Sequence, residues 1–156
     1  MMIVVCSPNT TAAFTNCVYV NPSDFSSGYL TILPRNFVYK CVAHPDVVVG
    51  TIALNAMARR DNKAFPGDVA EISAFITPAN FTAESVTLTA EWLKKSPLTP
   101  DLRIMTEIFK LKFEGHVFSQ KQGFVMEYEE SSVLLRVKTP GPMMIGKETT
   151  VTLEWS

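Results

Sequence analysis

The chain has 156 residues, 47% of them apolar, which is enough for a buried core. Its 14 basic and 15 acidic side chains leave a net charge of −1. That balance excludes a general field for nucleic acid or an anionic membrane and confines charge recognition to local patches. No apolar run approaches the about 20 residues of a membrane-spanning helix, and the opening MMIVVC lacks the basic flank and cleavage site of a secretory signal. Cys6, Cys17 and Cys41 form an odd set without CxxC spacing, pointing to a reducing, cytosolic compartment.

Short β-rich runs fill the first half: MIVVC, CVYV, YLTIL, FVYKCV, GTIALN and DVAEISAFI. Turn chemistry separates them at SPNTT, NPSDFSSG, LPRN, AHPD and FPGD, a spacing that suggests a compact barrel or sandwich. NPSDF reads as a helical turn with Asn21 as N-cap and Pro22 following, and NAMARRDN as another, with its arginines outward. A polar stretch over residues 77–85 divides the chain into halves, 1–80 and 81–156.

Beyond it, SVTLTAEWL alternates as a half-buried strand and runs out at Lys94 and Lys95. Thr99 as cap, Pro100 at the first helical position and Asp101 near the positive dipole end predict a helix entrance. Ile104, Ile108 and Leu111, with Met105 and Phe109, are its expected core face, and Arg103, Glu107, Lys110 and Glu114 its wet face, to a stop near Gly115. GFVMEYEE, SVLLRVKTP and ETTVTLEW complete a β, α, β half, the first two as a hairpin.

Two patterns resemble chemistry without supporting it. GPMMIGKE has the glycine and lysine spacing of a phosphate loop. Glu148 stands where a magnesium-binding hydroxyl belongs, Pro142 lacks an N–H, and a strand rather than a helix follows, so it reads as a connecting loop. Cys41 and His44 in CVAHP suggest half a metal site or a thiol and base pair. The remaining candidates, Cys6, Cys17 and His116, are scattered, which favours buried thiols and a turn histidine. No nucleophile, base and orienting acid assemble, and the expectation is a non-enzymatic segment that holds no cofactor and no metal.

The cations are gathered. Arg59 and Arg60 lie together in one half and Lys94 and Lys95 in the other, each pair at the end of an ordered element. Side-by-side packing of the halves would let both pairs flank one groove, a positive patch suited to an acidic protein surface.

FTNCVYVNPSDF, residues 14–25, AHPDVVVGTIALN, residues 43–55, and EWLKKS, residues 91–96, resemble the amino-terminal domain of the N-ethylmaleimide-sensitive factor family. ARRDNKAFPGDVAEI lines up on that family's basic turn, glycine turn and closing strand. The likeness implies mixed β and α+β architecture: a double-psi β-barrel followed by a smaller α/β subdomain with one main helix. It implies a cytoplasmic, hexameric AAA ATPase that disassembles SNARE complexes in vesicle trafficking and membrane fusion, reaching membranes peripherally through adaptor and SNAREs. ATP and magnesium would belong to ATPase modules after a linker, beyond TVTLEWS; an excised domain and a free-standing relative both fit. This segment would dock on the acidic adaptor SNAP and, through it, on SNARE complexes, without binding nucleic acid or inserting into a membrane.

By position the resemblance assigns adaptor contact to Arg59, Arg60, Lys94 and Lys95. Val4 and Val5 stand where the family carries a further cation, and Asp61 replaces the aromatic that follows the basic turn, putting an acid inside the patch. Lys63 and Lys40, or Arg35, are the candidates to compensate. The alternative partner is a ubiquitin-pathway adaptor, met by the similar domain of valosin-containing-protein ATPases through apolar contacts. A small enzyme on a double-psi barrel, and phosphoinositide or nucleic-acid binding by the basic pairs, are more distant readings.

Overall fold

β-branched and aromatic residues prefer a pleated, half-buried surface, and the first half of the chain spends them on six strands. In the computed structural model, which describes residues 1–9 and 15–156, these are β1 (Met2–Cys6), β2 (Val18–Val20), β3 (Gly28–Leu33), β4 (Phe37–Ala43), β5 (Thr51–Leu54) and β6 (Val69–Ala74). The turn expected over residues 7–11 lies partly outside the described residues, as does Phe14 at the head of the segment 14–25. The strands close into a barrel in the order β1-β5-β2-β4-β3-β6, with β6 returning to β1. The pairs β1–β5 and β2–β4 are parallel and the rest antiparallel. This mixed order, threaded by crossovers, is consistent with a double-psi barrel.

Side chains alternate along the strands, so Val4, Val18, Val20, Leu30, Ile32, Ile52 and Leu54 point inward and are sealed from solvent. At about 25 cal/mol per Å2 of apolar surface, such burial is the main term holding the barrel shut. Asn21 behaves as expected: its Oδ1 accepts from the Ser23 N–H at 2.9 Å, and its carbonyl accepts from Asp24 and Phe25, one isolated helical turn. Between β5 and β6 runs a short helix, α1 (Ala56–Asn62), capped by Asn55, whose Oδ1 accepts from the Ala58 N–H at 2.8 Å.

The chain divides into two compact units, Met1–Pro78 and Ala79–Ser156. The second holds β7 (Ser85–Trp92), α2 (Leu102–Phe113), β8 (Val117–Phe118), β9 (Gly123–Tyr128), β10 (Ser131–Val137), β11 (Met143–Met144) and β12 (Thr150–Trp155). A four-stranded sheet runs β12-β7-β10-β9, with β12 parallel to β7, and β8 pairs with β11 in a small separate ladder. The β9–β10 hairpin turns at Glu129 and Glu130, both at positive φ, and presents two exposed acids at its tip. One sheet face carries Leu88, Ala90, Phe124, Met126, Val133 and Leu135 against α2.

That helix departs from the expected pattern at both its start and its face. The cap is Asp101, not Thr99: its carboxylate oxygen accepts from the Arg103 and Ile104 N–H groups at 3.1 and 3.2 Å. A carboxylate at this position satisfies two orphan donors and complements the dipole at once, which a threonine two residues earlier cannot do. Asp101→Ala therefore costs about 1 kcal/mol of unfolding free energy, whereas Thr99→Ala stays within ~0.5 kcal/mol; urea midpoints read by tryptophan fluorescence compare the two.

The buried stripe is Met105, Phe109 and Phe113, with Leu102 and Ile108 half-buried beside it. Ile104 and Leu111, expected in the core, are 47% and 85% exposed. Two apolar stripes compete at helical spacing here, and the one carrying two phenylalanines removes more area from water when it turns inward.

Candidate functional site

α1 ends in a way that groups its cations. Lys63 adopts the left-handed conformation at φ 51°, its N–H donating to the Arg60 carbonyl, while the Ala64 N–H donates to the Arg59 carbonyl at 2.9 Å. The chain thus doubles back, and Ala56, Arg59, Arg60, Lys63, Ala64 and Phe65 line a pocket of about 470 Å3. Basic side chains in the last turn also suit the negative end of the helix dipole.

Arg60 and Lys63 are exposed, but Arg59 is half-buried, so only part of the expected outward arginine pair is free to solvent. The Arg59 Nε is buried without a hydrogen-bond partner. Asp61 does not sit among these cations as an opposing surface acid. It is 7% exposed, on the inward face of α1 with Met57 and Ala58, because successive helical residues are rotated by about 100°.

Phe65 is the residue that pattern reading misses. The FPGD pattern absorbs it into a turn, yet it is a large aromatic left 74% exposed on the pocket wall. Its backbone is fixed: the Phe65 N–H donates to Asp68 Oδ2 at 2.8 Å, and the Asp68 N–H donates back to the Phe65 carbonyl at 2.9 Å. Gly67 at φ 97° supplies the left-handed step this turn needs.

Lys94 and Lys95 belong to the second unit, both exposed, on the bend that follows β7. The bend is pinned to the start of β10. The Leu93 N–H donates to the Ser132 carbonyl, the Ser96 and Ser131 hydroxyls share a hydrogen bond at 2.9 Å, and the Leu98 N–H donates to Ser96 Oγ. Lys40 is half-buried on β4, paired in register with Tyr29, and is not among the pocket-lining residues. Arg35 is exposed in the β3–β4 turn.

The Cys41 and His44 pattern is structural. Cys41 is 1% exposed in the barrel core, and burial, with the neighbouring Cys17 thiol, pushes its pKa up to about 11. His44 Nδ1 accepts from the Asp46 N–H at 3.1 Å, and its ring stands edge-on to Tyr19. Cys6, expected to be buried, is exposed: it shares the pleat face of Met2 and Val4 but is the last residue of β1, where the strand runs out. Brief iodoacetamide treatment of the folded protein followed by peptide mass analysis is therefore expected to modify Cys6 and spare Cys17 and Cys41. Native-state adducts on Cys41 would contradict this.

The 141–148 segment is a strand connector. Its Gly146 N–H donates to Thr149 Oγ1, that hydroxyl donates to the Ala83 carbonyl at 2.7 Å, and β12 follows. Among the described residues no group of three or more His, Cys, Asp or Glu side chains is placed to hold a metal ion, and no helix is long and apolar enough to cross a membrane.

No protein-family model matches the chain. Its sequence is 30% identical over 145 residues to a vesicle-fusing ATPase of Arabidopsis thaliana, an alignment covering 87% of this chain. The chain spans about 20% of the length of that curated relative. Barrel, α/β unit and sequence agree, and at family level the chain is similar to an amino-terminal domain of vesicle-fusing ATPase, the N-ethylmaleimide-sensitive factor.

Proposed function

We propose that this chain is the adaptor-binding domain of a SNARE-disassembling AAA ATPase, docking on SNAP and, through it, on SNARE complexes. The observation that carries the reading is the sequence likeness to vesicle-fusing ATPase across most of the chain. The proposed contacts are Arg59 and Arg60 in the first unit and Lys94 and Lys95 in the second, with Lys63 added because it lines the same pocket as the arginines. The domain acts as a grip: it holds the adaptor while ATPase modules elsewhere supply force, and several weak copies around a ring act together. The same reading places the parent protein in the cytoplasm, at membranes only through its partners.

Exposed cations at an interface speed encounter and are screened at higher salt, with a Debye length of about 8 Å at physiological ionic strength. Reversing Arg59 and Lys94 to glutamate together is expected to abolish capture of purified SNAP with its SNARE complex, with the circular dichroism spectrum unchanged. Undiminished capture by that double variant overturns the assignment. Capture of ubiquitin-like adaptor domains in place of SNAP would move the chain to the valosin-containing-protein reading.

A further inference from the structure

We propose that the outward face of α2 is a self-association surface, on which a second copy of this chain lays its own α2 in antiparallel register. The inference goes beyond adaptor binding and does not depend on it. α2 carries two apolar stripes, and only the one with Met105, Phe109 and Phe113 is turned into the core. The other, Ile104, Ile108 and Leu111, keeps the four-then-three spacing of a helix-packing seam but stays outside. Ile104 is 47% and Leu111 85% exposed, with Ile108 half-buried beside them.

A charged row runs alongside that stripe. Arg103, Glu107, Lys110 and Glu114 lie within about 60° of one another around the helix, and their signs alternate along it. The order is a poor one for a helix standing alone. Arg103 sits in the first turn, near the positive end of the dipole, and Glu114 closes the last turn, near the negative end. Both four-residue spacings, Arg103 to Glu107 and Lys110 to Glu114, put the cation before the acid, the weaker orientation for a pair within one helix.

An antiparallel copy turns the same order into a match. Arg103 with Glu114, and Glu107 with Lys110, share one midpoint, the peptide between Ile108 and Phe109. A single two-fold axis there sets Arg103 against the partner's Glu114 and Glu107 against the partner's Lys110, each contact made twice, with the two helix dipoles opposed. It also sets Ile108 beside the partner's Ile108 and Leu111 beside the partner's Ile104, closing the exposed stripe on itself. Next to Leu111 a hollow of about 300 Å3, walled by Glu107, Lys110, Glu114, Gly146 and Lys147, gives that isoleucine room to seat. A uniformly acidic or basic segment would meet like charge at two of the four positions, and an anionic membrane would face Glu107 and Glu114. With 12 residues the helix face is about 18 Å long. That is too small for the roughly 800 Å2 per partner of a standard interface, so the dimer is weak, with a Kd on the order of 100 µM.

Sedimentation of the whole chain between about 10 µM and 1 mM is expected to show monomer passing to dimer and to nothing larger, because a two-fold contact closes on itself. Leu111→Ala weakens the dimer about tenfold or more. The charged row is tested by one variant carrying Glu107→Lys and Glu114→Lys and a second carrying Arg103→Glu and Lys110→Glu, with circular dichroism checking that both keep the native helix. Each alone is expected to stay monomeric, and their equimolar mixture to form a heterodimer at least as tight as the native dimer.

An unaltered chain that stays monomeric at about 1 mM overturns the inference. So does a dimer that both charge variants retain, or a mixture of the two that fails to associate. Binding to phosphatidylserine-containing vesicles that Leu111→Ala abolishes, without dimerisation, would give the stripe to a membrane and overturn it as well. None of these results bears on SNAP capture, since the variants leave Arg59, Arg60, Lys94 and Lys95 in place.

Discussion

Phe109→Ala is expected to lower the unfolding free energy of the second unit by about 3–5 kcal/mol, the range for truncating a phenylalanine in a closed core. The side chain is 0% exposed, its ring centroid 4.9 Å from Phe113 and 6.1 Å from Phe124, and α2 meets the sheet through it. Because Phe124 is held by the sheet and Phe113 by the same helix, the space left collapses little, and the cavity term adds to the lost transfer energy. Domains of this size are stable by only about 5–15 kcal/mol, so the variant stands near the edge of folding.

Both tryptophans of the chain, Trp92 and Trp155, lie in this unit with their rings 5.0 Å apart. Their fluorescence during urea unfolding therefore reports on it alone. Leu111→Ala, on the competing stripe of the same helix, is expected to shift stability by less than ~0.5 kcal/mol. Equal losses from the two variants would refute the assignment of the buried face.

The first unit should lose stability in alkali more steeply than the second. Burial raises the Cys17, Cys41, Tyr19 and Tyr29 ionisations, all four in the barrel unit. For Cys41 the folded value is about 11 against 9.0 when unperturbed. Below the unperturbed value both states keep the proton and this thiol contributes its full share. Above it the unfolded chain releases a proton that the folded barrel retains, so stability falls as pH rises and levels off for this group past its folded value.

Each tenfold separation between the folded and unfolded acid constants is worth about 1.4 kcal/mol, so Cys41 alone accounts for a loss of roughly 1–3 kcal/mol, the lower part applying where solvent screens the thiolate. Guanidinium unfolding followed by far-UV circular dichroism, resolved from the tryptophan transition, measures it. Cys41→Ala should flatten the slope even if it lowers the plateau. An identical slope in that variant would show that the thiol does not carry the effect.

How much of this could be read from the residues depended on the strength of local pattern. Runs such as YLTIL and SVTLTAEW alternate cleanly, and their strands appear where the alternation lies. β8 and β11 have two residues each, too short to show any period. On α2 the spacing admitted two faces, and only the area of the phenylalanines decided between them. That Arg59 and Arg60 close a short helix before a turn was legible, whereas nothing in the sequence separated Lys63, which lines the same pocket, from Lys40, which does not. The inward Asp61 and the half-buried Arg59 were not, since each depends on how α1 is rotated against the barrel, and the outward Phe65 depends on the turn closed by Asp68.

The closed ring of the first unit has a consequence for its synthesis. Its opening strand, β1, finds its partners in β5 and β6, some fifty to seventy residues later in the order of the chain. On a translating ribosome the nascent segment cannot seal itself until almost the whole unit has emerged, and until then its apolar strands lie bare to chaperones and to one another. The second unit shares that wait in part, because β7 pairs with β10 and β12, some forty to sixty-five residues later, but its β9–β10 hairpin of near neighbours can zip within moments of leaving the tunnel.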